Sequence, residues 1–269
     1  IVDQYSKYHG WTPAVVTGKP LELGGSEGRE QATGQGLFFV IESVLWDLGM
    51  DLGKTRFVVQ GFGNVGSWVA RFIHGGGGKV VAIADVSGAV YNKDGLDIDA
   101  LWHHSLENGS VNGFAGGEAT DPKKLFTLDC DVLVPAALGN VITKENMQDI
   151  KAKVVVEGAN APTTPEADEY LHKKGITVVP DIFANSGGVI VSYFEWVQNV
   201  QQFRWKLDRV NQELKSQLLD SYKEIKHIER SSECDMRTAA FQLAISRVAR
   251  TTALRGLENE NFCMLSAPH

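Results

Sequence analysis

The stretch RFVVQGFGNVGSW, residues 56–68, decides the fold. Its first part, RFVVQ, is short, apolar and β-branched, which predicts a buried strand. Gly61, Gly63 and Gly66 follow, and a helical pattern begins among them, at residue 64. Because glycine carries an entropic cost in ordered structure, three of them between a strand and a helix indicate that something comes closer to this backbone than a Cβ atom allows.

The neighbouring segments predict an α/β fold: a doubly wound, Rossmann-like, mostly parallel sheet with long C-terminal helices. A helix over residues 64–74 and a second strand over 79–85 give the length that a parallel crossover needs. Apolar strand-like runs and helical patterns then continue to alternate. Further strands are predicted at 131–137, 153–159 and 176–181, and further helices at 30–48, 96–109, 143–150 and 164–175.

The chain is predicted to divide into four parts. Residues 1–30 form an entry helix and loop, residues 31–190 a dinucleotide-binding domain, and residues 191–256 a C-terminal helical layer. The last 13 residues, 257–269, lack periodicity and are predicted to be a frayed tail. Because the chain starts without methionine inside a helical pattern, we expect a cut at this point, after a preceding substrate domain.

The composition favours a small soluble ligand. With 43% hydrophobic and 22% charged residues the chain is ordinary for a globular protein. A formal charge of -7 gives no electrostatic footprint for nucleic acid or an anionic membrane surface. The three cysteines are odd in number and have no CxxC spacing, so neither a disulfide framework nor a metal site is predicted.

The glycine turn is typical of dinucleotide binding when its context is complete. Gly61 allows the tight turn, Gly63 admits a diphosphate, and Gly66 lets helix and strand pack closely. Asp85 ends the next predicted strand, and the following seven residues, VSGAVYN, hold no cation. A carboxylate there can accept a hydrogen bond from a ribose 2′-OH and would repel a 2′-phosphate, so NAD is predicted over NADP. Two alternatives stay open: a turn serving another ligand, and Asp85 as a simple turn residue.

Five stretches narrow the function further, and together they closely resemble the glutamate dehydrogenase family over nearly the whole chain. They are TGKPLELGGSEGREQATGQG (17–36), QGFGNVG (60–66), LVPAALGNVI (133–142), EGANAPTTPEAD (157–168) and PDIFANSGGVIVSYFEW (180–196). The resemblance implies reversible oxidative deamination of L-glutamate to 2-oxoglutarate and ammonia with NAD(P). Such chemistry requires a dry cleft and a fixed nicotinamide.

The resemblance also implies a location and an assembly. Phrases such as SYFEWVQN (192–199) and RVARTTALRG (247–256) look most like the plant-type, NAD-linked mitochondrial form, which implies the mitochondrial matrix, with the cytoplasm as the alternative. EGANAPTTPEAD is more similar to bacterial and animal forms. Family members are typically homohexamers. Their catalytic lysine and aspartate lie in an N-terminal domain, so no catalytic residue is assigned here and the chain is expected to be inactive alone.

Four polar residues are site candidates by resemblance. Thr33 is similar to the family's threonine that holds the nicotinamide carboxamide, and Arg29 to its arginine near the substrate α-carboxylate. Asn160 and Asn185 each follow a predicted strand and are expected beside the nicotinamide ribose and the substrate. The alternatives are a helix cap for Thr33, a surface position for Arg29 and turn roles for the two asparagines.

Val189 and Ser192 share a helix face at i, i+3 spacing. By resemblance both contact the substrate side chain, and Ser192 donates to its distal carboxylate. The alternative is a buried serine that bonds its own backbone. The remaining candidates for lining the cofactor site are Phe62, Asn64, Val65, Val86, Ser87, Ala136 and Ala137.

Two other functions stay open. One is a stand-alone dinucleotide-binding module with a regulatory role and no catalysis. The other is a dehydrogenase acting on another, apolar L-amino acid. Ser192 argues against the second, because a hydroxyl can hydrogen-bond a side-chain carboxylate.

Overall fold

The computed structural model of the protein describes residues 1–256. The strands of this part are β1 (Arg56–Gln60), β2 (Lys79–Ala84), β3 (Ala89–Tyr91), β4 (Glu118–Thr120), β5 (Val132–Pro135), β6 (Val154–Val156) and β7 (Thr177–Val179). Its α-helices are α1 (Val2–His9), α2 (Ala32–Asp47), α3 (Gly66–Gly75), α4 (Ile98–Asn108), α5 (Pro165–Lys173), α6 (Asp181–Ala184), α7 (Gly187–Gln201), α8 (Leu207–Ser231) and α9 (Met236–Leu254). The predicted tail at 257–269 lies outside the described residues.

All seven strands form one sheet in the order β4-β3-β2-β1-β5-β6-β7. β1 pairs in parallel with β2 on one side and with β5 on the other, and β6 and β7 continue the parallel ladder. The predicted doubly wound, mostly parallel sheet is confirmed. Because the strand order reverses at β1, the carboxyl end of β1 is the switch point where open α/β sheets bind ligands.

The strands are apolar because both faces of the sheet are covered. Phe57, Val58 and Val59 of β1 are all 0% exposed. Phe57 and Val59 pack into the larger core, which is shared with the long helices, whereas Val58 belongs to a second core on the other face. Alternation of buried side chains to both faces explains why the sequence shows a continuous apolar run.

Three details of the predicted secondary structure are wrong. β3 and β4 form an antiparallel extension at one side of the sheet, with β4 at its edge, that the sequence analysis does not predict. At three residues each they are too short to show a periodicity. The predicted helix at 143–150 is a single 3₁₀ turn, Met147–Asp149. At the start of this segment the Asn146 side chain accepts from Thr143 N and donates to Val141 O, which holds residues 141–146 in a local turn.

The C-terminal helices pack on the sheet and on one another, with α2 at the centre of contacts to α3, α7 and α8. The predicted boundary between residues 190 and 191 falls inside α7, and the division into four parts stays a prediction. Within residues 1–256 we find no helix whose length and apolar character would suit it to crossing a bilayer.

Candidate functional site at the carboxyl edge of the sheet

The glycine turn between β1 and α3 has three different requirements. Gly61 has a φ of +99°, and a Cβ there would lie 2.8 Å from the Ala136 carbonyl oxygen. A Cβ on Gly66 would overlap the carbonyl oxygen of Gly61, so only glycine lets α3 start this close to the strand. Around Gly63, by contrast, no described atom lies within 4 Å of an added Cβ. The fold therefore requires Gly61 and Gly66, whereas the open side of Gly63 leaves room for a ligand.

Free amides line this turn. Among the described residues, the backbone N–H groups of residues 62–66 donate no hydrogen bond to a protein acceptor. Ser67 is the first to do so, with its N–H 3.0 Å and its hydroxyl 2.6 Å from the Gly63 carbonyl oxygen. Unsatisfied amides at the positive end of a helix bind phosphate groups. The turn is thus suited to a diphosphate.

A cavity of about 620 Å³ opens beside this turn, bounded by the loops after β5 and β6 and by the first turns of α2 and α7. Nine of the predicted site residues line it: Arg29, Thr33, Val65, Ala136, Ala137, Asn160, Asn185, Val189 and Ser192. Five lining residues are not among the predictions: Leu138, Gly139, Gly158, Ala159 and Gly188. Convergence of residues from so many segments at one sheet edge follows from parallel strands ending together.

The two predicted asparagines meet directly. Asn185 Nδ2 donates to Asn160 Oδ1 at 2.8 Å. Asn160 is exposed, and the chain after it is fixed by Asp181, whose Oδ2 accepts from Ala161 N at 2.7 Å. Asp181 N in turn donates to Oε2 of Glu157 at 2.9 Å, and Glu157 is 0% exposed. A buried carboxylate therefore holds both asparagine-bearing segments.

Arg237 of α9 supplies the cation of this carboxylate network. Its guanidinium donates to Glu157 at 2.8 Å and to Asp168 at 2.9 Å, and lies 3.6 Å from Asp181. Burial acts to lower the pKa of Arg237, but the hydrogen bonds to Asp168 and Glu157 outweigh it and the pKa is raised. Glu157 is thus buried with a compensating charge, as a buried carboxylate requires.

Glycines bring α7 close to α2 at the floor of the cavity. A Cβ on Gly187 would overlap the Ala32 carbonyl oxygen, and one on Gly188 would overlap the Thr33 hydroxyl. Arg29 lies just before α2, and its buried Nε makes no hydrogen bond with the described residues. Arg29 also lines the cavity, so its guanidinium is placed to pair with an anionic group there.

Ser192 hydrogen-bonds the hydroxyl of Thr17, which the sequence analysis does not single out. The signal for Thr17 was present, because it opens the TGKP segment of the resemblance. Val189, one turn earlier on α7, is 68% exposed and faces the same cavity. Ser192 and Val189 therefore form the α7 end of the cavity, and Thr17 supports the Ser192 hydroxyl from outside the lining.

The Asp85 carboxylate is held in its own turn. Oδ1 accepts from Ser87 N at 2.7 Å, from Ser87 Oγ at 2.5 Å and from Gly88 N at 3.1 Å, and Oδ2 accepts from Val111 N at 2.8 Å. This is the geometry of the turn-residue alternative. A ribose hydroxyl would have to share these oxygens. Val86 is fully exposed to solvent next to this turn.

Two further predicted residues of the turn, Phe62 and Asn64, are not among the residues that line the cavity. Phe62 is 8% exposed and packs edge-on against Trp102 at 6.3 Å between ring centroids. Asn64 is exposed at the start of α3. Val65 and Ala136 connect the turn with the cavity, since both line it and Ala136 also contacts Gly61. The turn and the cavity are therefore parts of one continuous sheet edge.

Free amides at the switch point of a doubly wound sheet, beside a polar cavity, define a dinucleotide-binding domain. The chain belongs to the Glutamate/Leucine/Phenylalanine/Valine dehydrogenase family, whose sequence profile matches residues 24–256. The predicted family membership is confirmed.

Known relatives agree with this assignment. The chain is 49% identical over 258 residues to the glutamate dehydrogenase of Thermotoga maritima. The aligned residues make up 95% of this chain and 62% of that protein. The hetero-hexameric glutamate dehydrogenase of Thermus thermophilus, in its Leu-bound form, superposes with a TM-score of 0.89 at 36% identity over 96% of this chain and 61% of that one. The glutamate dehydrogenase of Peptoniphilus asaccharolyticus superposes with a TM-score of 0.83 at 36% identity, over 96% of this chain and 62% of that one. The chain thus spans about three fifths of these relatives' length and corresponds to their C-terminal, cofactor-binding part.

Proposed function

We propose that this chain provides the cofactor-binding part of a glutamate dehydrogenase, which interconverts L-glutamate with 2-oxoglutarate and ammonia using NAD. The observation that carries the proposal is the single edge where a turn of free amides adjoins a cavity lined by Arg29, Thr33, Asn185 and Ser192. One part suits a diphosphate and the other a small dicarboxylate.

The polar end of the cavity supports glutamate over an apolar amino acid. Ser192 and Thr17 place two hydroxyls together at α7. When the Thr17 hydroxyl donates to Ser192, the Ser192 hydroxyl keeps its own hydrogen for a side-chain carboxylate in the cavity. An aliphatic side chain would leave that donor without an acceptor. Arg29 lines the same cavity, and its guanidinium is suited to the α-carboxylate.

The residues of the turn and cavity fit NAD. The amides of residues 62–66 would bind the diphosphate, and the open side of Gly63 leaves it space. The Thr33 hydroxyl can both donate to and accept from a carboxamide, and Asn185 can do the same beside it. When bound, NAD supplies the hydride acceptor for oxidation at the amino-acid Cα.

NAD is proposed over NADP because of the charge at the end of β2. Asp85 is fixed there by its turn, and residues 86–92 contain no lysine or arginine. A 2′-phosphate would meet a carboxylate and no cation.

The proton-transfer groups are proposed to lie in the part of the relatives that this chain does not match. The family resemblance points to a lysine and an aspartate there. We expect the chain alone to bind NADH without turning over glutamate. A homohexamer and a mitochondrial matrix location, with the cytoplasm as the alternative, are proposed on the same resemblance. The Thermus relative is itself described as hetero-hexameric.

The test is the amino-acid selectivity of a chimera. Residues 1–256 replace the matched part of the Thermotoga maritima enzyme, and oxidation of glutamate, leucine, phenylalanine and valine is measured with NAD. Preference for glutamate supports the proposal, and preference for an apolar amino acid overturns it. Within the chimera, Ser192→Ala should raise KM for glutamate about tenfold or more and leave KM for NAD within about twofold. Equal changes in both would count against the assignment.

A further inference from the structure

A buried ion pair fastens the segment that carries Thr17 to helix α7, and the function proposed above does not use it. Lys19 Nζ lies 2.5 Å from Glu195 Oε1. Their side chains are 5% and 0% exposed, although Lys19 and Glu195 are 176 residues apart in sequence. Both charges are therefore withdrawn from water, which is costly unless each is fully paired.

Further hydrogen bonds complete the pairing. Glu195 Oε2 accepts from Gly18 N at 2.9 Å, and Oε1 also accepts from Lys19 N at 3.3 Å. Lys19 Nζ donates in addition to the Val16 carbonyl oxygen at 2.6 Å. The carboxylate thus binds the backbone of Gly18 and both the backbone and the side chain of Lys19. It fixes the shape and the position of the turn that residues 17–19 form.

The ion pair sets the register of this segment along α7. Ser192 lies one helical turn before Glu195, on the same face. Farther along, Gln198 donates to Ser26 Oγ at 2.8 Å and Asn199 donates to the Gly24 carbonyl oxygen at 2.6 Å. Contacts at both ends of the segment leave Thr17 no freedom to slide along the helix.

We propose that Lys19 and Glu195 are positioning residues that hold the Thr17 hydroxyl against Ser192, whose own hydroxyl lines the cavity. The inference rests on the proposed function, because the orientation that Thr17 gives the Ser192 hydroxyl matters only where a substrate side chain meets Ser192. A buried ion pair adds little net stability compared with apolar side chains of the same size. Its specific contribution here is the geometry of the turn.

The first test measures backbone hydrogen exchange on the 269-residue chain. In Lys19→Met and in Glu195→Gln, one buried charge loses its partner, so the amides of residues 17–19 should exchange about tenfold faster or more. The amides of β1 should keep their parent rates. Lys215→Met is the matched control, because Lys215 forms a 3.2 Å pair with Glu42 but is 45% exposed, and it should leave the turn unchanged.

The double variant Lys19→Met/Glu195→Gln separates positioning from stability. It leaves no charge unpaired, so its urea stability should recover toward that of the parent. The turn should stay fast-exchanging, because the Nζ hydrogen bonds to Glu195 and Val16 are gone. Recovery of both stability and slow exchange would show that the pair only compensates charge, and would overturn the proposal.

The second test measures two ligands by calorimetry, NADH first and then glutarate added to the NADH-saturated chain. Both single variants should bind NADH within about twofold of the parent, whereas glutarate should bind about tenfold more weakly, as it should to Ser192→Ala. Unchanged glutarate affinity beside a loss in Ser192→Ala overturns the positioning role, and so does unchanged exchange at residues 17–19. A parent chain that fails to bind NADH overturns the proposed function, and fast exchange in both variants would then still show that the ion pair fixes residues 17–19.

Discussion

Two glycine-to-alanine substitutions in one turn should separate ligand binding from folding. In Gly63→Ala the new methyl meets no described atom within 4 Å, and Gly63 has no positive φ. Its free energy of unfolding should therefore stay within about 0.5 kcal/mol of the parent value. The same methyl occupies the space proposed for the diphosphate, so the affinity for NADH should fall about tenfold or more, which is about 1.4 kcal/mol.

Gly66→Ala should behave in the opposite way with respect to stability. Its methyl would overlap the Gly61 carbonyl oxygen and lie 2.7 Å from the carbonyl carbon, and neither atom can rotate aside because both belong to the backbone. Relief requires the first turn of α3 to move away from β1. Overpacking of this kind costs about 1–3 kcal/mol, which exceeds the gain of up to about 1 kcal/mol in helix propensity.

Urea unfolding followed by circular dichroism gives the stabilities, and calorimetric titration with NADH gives the affinities. The parent chain and both variants are measured under the same conditions. A Gly63→Ala chain that binds NADH as tightly as the parent would refute the placement of the diphosphate. A Gly66→Ala chain as stable as the parent would refute the close packing of helix and strand.

Three further substitutions or treatments test other parts of the structure. Asp235→Ala removes the side chain that caps α9 and should cost about 1 kcal/mol at pH 7 in urea unfolding. Burial acts to raise the pKa of Asp235, but the hydrogen bonds from Thr238 outweigh it and the folded-state pKa is lowered. The cap therefore stabilises the folded chain fully above the unfolded pKa of about 4, and this stability is lost as the pH falls through the lower folded-state pKa. Arg237→Met leaves Glu157, 0% exposed, without its cation and should cost about 3–5 kcal/mol by the same assay. Burial raises the pKa of Cys130 to about 12, so its thiol should resist thiol reagents at pH 8 until the chain is unfolded, as peptide mapping after labelling would show.

The sheet could be predicted because its strands carry strong local signals. RFVVQ is buried on both faces and bounded by glycine, and the structure places β1 at that segment. β3 and β4 could not be predicted, because each has three residues and is held by its neighbour in the sheet. The segment 143–150 has a helical composition, but the Asn146 side chain bonds the backbone of residues 141 and 143 and the segment starts as a local turn. Local competition of this kind has no periodic signature.

Much of the cavity could also be anticipated, because parallel strands end at a common edge. Asn160 and Asn185 follow different strands and meet there at 2.8 Å. The ion pair of Lys19 and Glu195 was not predictable in this way, since it depends on two segments that only the folded chain brings together. The same holds for the bond from Val111 to Asp85, which joins two loops.

The most direct measurement is a calorimetric titration of the chain with NADH and, separately, with NADPH. We expect one NADH to bind per chain. NADPH should bind at least about tenfold more weakly, a difference of about 1.4 kcal/mol or more, because its 2′-phosphate would face Asp85 without a nearby cation. Tighter binding of NADPH would contradict the role of Asp85. Absence of binding by either coenzyme would contradict the dinucleotide site itself.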